Sequence, residues 1–213
     1  MSTYVLCLKL INRPCLVVGG GEVAERKVRT LYSAGACITV IAREISARLR
    51  QFTEEHAITL IVREVREEDL KEKLLIIAAT DDRQTNRKIA EQGRRAGALI
   101  NVADCPEESD FFVPSTFNRG DLTIAIATSG KLPALSRRIR EQLEEQFGNE
   151  YESYLQLLEP AREAIYKCSA HTVDGKIRLI EELLDLPLLL LIKEDRQDEA
   201  RQIIQAFIKT HEV

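Results

Sequence analysis

The chain has 213 residues, a net charge of −4 from 30 Lys+Arg against 34 Asp+Glu, and a hydrophobic fraction of 45%. That apolar content suffices for one large or two small cores and excludes intrinsic disorder. The mild acidity excludes a general affinity for nucleic-acid backbone but allows local basic patches. Five cysteines (Cys7, Cys15, Cys37, Cys105, Cys168) form no C-x-x-C pair and the three histidines are scattered, so neither a disulfide framework nor a bound metal is expected. Cys15 and Cys37 lie in apolar, strand-like runs and are expected to pack as small hydrophobes. The N-terminus carries no signal pattern, and the longest apolar run, Leu186 to Ile192, is broken by Pro187. A cytoplasmic protein with no nucleic-acid and no membrane partner is expected.

In chain order, Cys15 to Val18 is an apolar run ending in three glycines. Residues 22 to 34 place Ala24, Val28, Leu31 and Tyr32 on one helical face, and Gly35 stops the helix. Cys37 to Ile41 reads as the next strand, and Ser46 as the cap of a helix with Ile45, Leu49 and Phe52 inward. Ile58 to Val62 and Leu74 to Ala79 read as strands separated by an acidic helix start at Glu67 to Leu70. Thr80 to Gly97 reads as a helix with Ile89, Ala90 and Gly93 inward, and Leu99 to Val102 closes the series. Strands apolar on both faces, alternating with helices, predict a parallel sheet covered on both sides, a Rossmann-like α/β unit.

Beyond Val102 the pattern changes. Ala103 to Asp110 is polar, Phe111 to Phe117 is apolar around Pro114, Arg119-Gly120-Asp121 is a turn, and Leu122 to Thr128 is a strand, which together predict a hairpin. Pro133 suits the first turn of a following helix. A hairpin with one helix is marginal alone, so this segment is expected to pack on the first domain, on another subunit, or on both. From Asn149 onward the chain reads as helical, with breaks at Pro160 and Pro187.

Gly19-Gly20-Gly21-Glu22-Val23-Ala24 matches G-x-G-x-x-G/A between a strand and a helix. In that setting Gly19 allows a tight turn, Gly21 lets backbone approach a pyrophosphate, and Ala24 keeps the helix close to the sheet. The free N–H groups of the helix start make an anion site. Past the second strand, Glu44 suits the ribose hydroxyls of NAD and Arg43 a 2′-phosphate, and either reads equally as a solvated charge, so NAD against NADP stays open. Thr80 and Asp81, at the carboxyl end of a later strand, fall where such sheets bind ligands, and Asp82 reads as a helix cap.

Asn101-Val102-Ala103-Asp104 leading into Asp110-Phe111-Phe112-Val113-Pro114-Ser115, with the glycine loop and Ala78 to Asp82, resembles the precorrin-2 dehydrogenase/sirohydrochlorin ferrochelatase family. The resemblance continues through Arg119, Leu122 to Ala127 and Pro133-Ala134-Leu135 and covers roughly residues 1 to 148. It implies an NAD-binding Rossmann domain over 1–113, a small α+β dimerisation segment over 114–148 and a helical C-terminal domain over 149–213, assembled as a homodimer. It implies NAD-dependent oxidation of precorrin-2 to sirohydrochlorin, and in several members insertion of ferrous iron.

Asp104 matches the family's functional aspartate, and a carboxylate beyond a sheet strand suits acceptance of the proton that leaves during dehydrogenation. Such a tetrapyrrole is a polycarboxylate, for which Arg119, Lys131, Arg137 and Arg138 are candidate partners, although charges near a helix start are commonly solvated. The chain departs from the family pattern at Ala127 and Leu132, where small hydroxyl residues are usual, and at Cys105, which reads as a spectator thiol. With 213 residues it leaves no room for the methyltransferase domain of fused siroheme synthases, so methylation is expected from a separate protein. The competing reading is a Rossmann module that senses NAD(H) without catalysis.

Overall fold

The computed structural model describes residues 3–103 and 105–211. The chain divides into two compact units, Met1–Val113 and Pro114–Val213. In the first, Pro14–Val18 forms β1, whose residues alternate between two cores: Cys15 and Val17 face one layer, Leu16 and Val18 the other. This two-sided burial is what a parallel sheet requires. Then follow α1 (Glu22–Ser33), β2 (Cys37–Ala42), α2 (Ala47–Glu55), β3 (Thr59–Val62), a 3-10 turn at Glu67–Leu70, β4 (Leu75–Ala78), α3 (Arg83–Arg95) and β5 (Leu99–Val102).

The five strands are parallel in the order β3-β2-β1-β4-β5. The chain runs outward from β1 to β3, then crosses to β4 and β5 on the other side, so a topological switch point lies at the carboxyl end of β1, where such sheets hold ligands. Register places Val18 opposite both Ile41 and Ala78, so the loops after β1, β2 and β4 start at one level. Ala24, Val28 and Leu31 of α1 with Leu49 and Phe52 of α2 bury one face of the sheet. Ile89 and Ala90 of α3 with Leu70 bury the other.

Four expectations are corrected in this unit. The segment after Glu67 is a 3-10 turn, with Arg63 donating two hydrogen bonds to Asp69 at 2.6 and 2.7 Å. α3 starts at Arg83 rather than Thr80 because Asp82 is its N-cap, accepting from the Gln84 and Thr85 amides. Tyr32 is 42% exposed and meets the Phe52 and His56 rings edge-on instead of entering the core. Cys37 is exposed at the first position of β2, whereas Cys15 is buried.

In the second unit β6 (Ser115–Arg119) and β7 (Leu122–Ile126) pair antiparallel across the Gly120–Asp121 turn, and α4 (Pro133–Gln146) packs on both. α5 (Glu150–Lys167), α6 (Val173–Asp185), α7 (Leu188–Lys193) and α8 (Gln197–Thr210) surround Leu158, Ala161, Ile165, Leu183, Leu188 and Ile204. Pro187 separates α6 from α7, but Pro160 breaks nothing and lies inside α5. It is exposed while Leu158, Ala161 and Ile165 face the core, so the hydrogen bond that its ring removes lies where water reaches the Gln156 carbonyl. Among the described residues no helix is long and apolar enough to cross a membrane.

Candidate functional site

The three loop glycines do different work. Gly19 has φ +132°, and a Cβ there would stand 2.1 Å from the Ala79 carbonyl oxygen; one on Gly20 would stand 1.9 Å from that of Glu44. These two glycines let the loop pass between the ends of β2 and β4, where the Gly19 N–H donates to Ile41 O at 2.9 Å and the Ser46 N–H to Gly20 O at 2.9 Å. At Gly21, its two chain neighbours aside, no atom of the described residues lies within 4 Å of where a Cβ would stand. Gly21 is the N-cap of α1 and supplies no side-chain cap, and the first helical bond runs from the Glu25 amide to its carbonyl at 3.0 Å. The amides of Glu22, Val23 and Ala24 are therefore left at the open end of the helix, with the positive end of its dipole. Ala24 is buried against the sheet.

The loops after β1, β2, β3 and β4 line one cleft of about 970 Å³. The glycine loop, Arg43, Glu44, Thr80 and Asp81 all border it, so the structure brings together every cofactor candidate of the first unit except Glu22, Val23 and Ala24, which follow directly in α1. Arg43 and Glu44 are exposed at the end of β2, and Arg43 faces Glu64 at 3.6 Å. Arg63 is held by Asp69, and Arg66 faces Glu68 at 3.5 Å, so each guanidinium on this rim has a carboxylate beside it. Lys88 of α3 also borders the cleft. The Arg63 hydrogen bonds hold the Asp69 carboxyl below the usual carboxylate range, and the Thr85 hydroxyl and Gln84 amide do the same for Asp82.

Thr80 is held from three sides. Its amide donates to Asn86 Oδ1 at 3.1 Å, its hydroxyl to the same oxygen at 2.7 Å, and its carbonyl accepts from Asn86 Nδ2 at 2.9 Å. Asn86 is buried on α3, and its sequence position carried no signal of this role.

Asp104 lies outside the described residues. The Ala103 amide continues the β4–β5 ladder onto Ala78 O at 2.8 Å, and the Cys105 amide turns back onto Val102 O at 3.3 Å. The open edge of β5 is closed by the following segment. Ser109 Oγ accepts from the Val102 amide at 2.9 Å, Asp110 Oδ2 accepts from the Ile100 amide at 2.9 Å, and Asn101 Nδ2 donates to Phe111 O at 2.9 Å. Arg94 fastens the same segment through Asp110 Oδ1 at 2.7 Å and the Glu108 carbonyl. Asp110, part of the recognised motif, thus acts as an edge anchor, and Arg94 and Ser109 join it without having been foreseen. Cys105 is buried, with its sulfur 3.9 Å from an Arg83 nitrogen.

The basic residues of the second unit separate into two kinds. Arg119 donates to the carbonyls of Phe147 at 2.8 Å, Glu144 at 3.1 Å and Asn118 at 3.0 Å, and so closes the C-terminal end of α4. Arg137 pairs with Glu141 at 2.9 Å one turn along α4, and Arg140 with Glu144 at 2.6 Å. Of the four substrate candidates, Lys131 and Arg138 are exposed with no side-chain partner among the described residues. Leu132 stands as the N-cap of α4 without capping it; the Thr128 hydroxyl accepts from the Leu132 amide at 3.2 Å, and Pro133 has no N–H to satisfy.

Residues 6–115 match the family model described as "Putative NAD(P)-binding", and residues 119–146 match "Sirohaem biosynthesis protein central". A precorrin-2 dehydrogenase of Priestia megaterium is 32% identical over 91% of this chain and 95% of its own length. Siroheme synthases of Psychrobacter sp. (strain PRwf-1) and Methylococcus capsulatus are 33% and 36% identical over 100% and 96% of this chain. The chain spans only 44% and 43% of those two proteins. The solved structure of SirC, a precorrin-2 dehydrogenase, superposes with a TM-score of 0.77 at 31% identity, covering 96% of this chain and all of that one.

Proposed function

The chain belongs to the precorrin-2 dehydrogenase and siroheme synthase family, and from that membership we propose that it oxidises precorrin-2 to sirohydrochlorin with NAD. The observation that carries this reading is Gly21: an uncapped helix start with free space where a side chain would stand, opening on a cleft of about 970 Å³. Bound there, NAD would accept a hydride from the substrate. The amides at Gly21 to Ala24 would hold its pyrophosphate, and Glu44 the hydroxyls of a ribose. NAD is preferred over NADP because Arg43, the guanidinium at the end of β2, already faces Glu64 and stands next to Glu44. Thr80 and Asp81 form the wall beyond β4.

We assign to the Asp104 carboxylate the proton that leaves the substrate as the hydride departs. The assignment rests on the sequence motif and on Ala103, which continues the anchored end of β5. Lys131 and Arg138 are the preferred partners for substrate carboxylates, since Arg119 and Arg137 are engaged within their own unit. Ferrous iron as a further substrate, the homodimer and a cytoplasmic site belong to the same proposal. The two outer edges of the β6–β7 hairpin, which pairs with no third strand among the described residues, support the dimer.

Under anaerobic conditions the protein with precorrin-2 and NAD should develop the absorption of sirohydrochlorin together with that of NADH. No NAD-dependent conversion, with NAD still bound, would leave the sensing module as the better reading. Asp104→Ala should lower turnover by about 100-fold or more while keeping NAD affinity, and turnover that survives the change removes Asp104 from catalysis. Sirohydrochlorin with ferrous or cobaltous ion tests the chelatase step separately.

A further inference from the structure

Asn86 is an unusual residue for its place. It lies inside an amphipathic helix, is 5% exposed, and directs both ends of its amide at one residue on another element. A buried amide without partners would be costly, and here its oxygen accepts twice and its nitrogen donates once, all to Thr80. The end of a parallel strand ordinarily offers its last N–H and C=O to water or to a ligand. At Thr80, two residues beyond β4, the N–H and C=O are both taken by one side chain.

That clamp acts on the glycine loop through a single peptide. Ala79, the residue before Thr80, donates its amide to Val18 O at 2.8 Å, and its carbonyl is the group that a Cβ on Gly19 would strike at 2.1 Å. The loop therefore rests on the Ala79–Thr80 peptide, and Asn86 fixes where that peptide lies. The Thr80 hydroxyl hydrogen is likewise directed at Asn86 Oδ1, at 2.7 Å, with Asp82 O further off at 3.1 Å. Thr80 thus presents a wall to the cleft, and the start of α1 offers its open backbone amides to an anion, with the Lys88 ammonium on the rim.

We infer that Asn86 is a positioning residue of the dinucleotide site, holding the Ala79–Thr80 peptide against Gly19 so that the glycine loop keeps the shape in which Gly21 admits a ligand. The inference rests on the dinucleotide reading above. Asn86→Asp retains the oxygen that accepts from the Thr80 amide and hydroxyl but replaces the donor to the Thr80 carbonyl with a second acceptor, which turns one attraction into a repulsion. NAD affinity should fall about tenfold, with kcat at saturating NAD within about twofold of the parent. Because a protonated carboxyl regains a donor, the affinity of this variant relative to the parent protein at the same pH should recover as pH falls.

Isothermal titration calorimetry of NAD, with thermal melting of the free protein beside it, separates the outcomes. A parent protein that does not bind NAD overturns the cofactor reading itself. A parent that binds, with a folded Asn86→Asp variant that binds equally well at every pH, overturns the positioning role alone. If Asn86→Asp does not fold, Asn86→Ser, too short to reach the Thr80 carbonyl, carries the same expected loss of affinity. Failure of both variants to fold assigns Asn86 to the fold only and overturns the inference.

Discussion

The two units use polar groups in opposite ways. In the first, polar atoms gather at one end of a parallel sheet, where charged rim side chains are largely paired and the start of α1 leaves backbone amides open beside the glycine loop. In the second, polarity resides in long side chains, and three that looked available are closed, Arg137 by Glu141 and Arg140 by Glu144 one turn away and Arg119 by the carbonyls that end α4. Backbone donors at the start of α1 stay open because the first turn of a helix has no intrahelical partner for them and Gly21 supplies no cap. A guanidinium on a helix surface finds a carboxylate one turn away. A site built from backbone can thus be read from a short motif, whereas one built from surface arginines cannot.

The comparison breaks first at the glycines. Gly20→Val should cost about 3–5 kcal/mol of stability, because its side chain would meet the Glu44 carbonyl, and thermal melting measures this. Gly21→Val should leave the melting temperature nearly unchanged and weaken NAD by about 100-fold or more, since it fills only the space kept for the ligand. Intact NAD affinity in Gly21→Val would refute the loop assignment.

In the second unit Leu183→Ala opens a cavity in the core of the helices and should cost about 2–5 kcal/mol in denaturant unfolding without changing NAD affinity. Arg119→Ala should cost about 1–2 kcal/mol, since its guanidinium closes three carbonyls. Arg138→Ala should not move the melting temperature and should raise KM for the tetrapyrrole. A reversed result for that pair would return Arg119 to the substrate site.

Smaller effects sharpen the same contrast. Arg63 holds the Asp69 carboxyl below its usual range, so the stability this pair supplies is complete above the unfolded carboxylate pKa of about 3.9 and is lost as pH falls through the folded value. The stability difference between the parent and Asp69→Asn should therefore shrink in acid, as melting curves between neutral and acid pH would record. Burial pushes the Cys15 thiol up to about 11, whereas Cys7 and Cys37 are exposed. Thiol reagents at neutral pH should modify Cys7 and Cys37 promptly and Cys15 only on unfolding.

Apolar periodicity and glycine placement by themselves determined the order of strands and helices in the first unit, the hairpin and the ligand-binding end of the sheet, because these demands act within a few residues of backbone. The Ser46 and Asp82 caps were legible for the same reason. Only the tertiary structure decided that Asn86 clamps Thr80 from six residues away, that Ser109 and Asp110 close the edge of β5, and that Arg119 caps α4. It also decided that Pro160 lies in an unbroken helix, since the exposure of one carbonyl to water, and no local pattern, makes that proline tolerable. Side-chain partners come from elements distant in the chain, and a long charged or amide side chain has the same local sequence whether it meets solvent, a carboxylate or a neighbouring strand end.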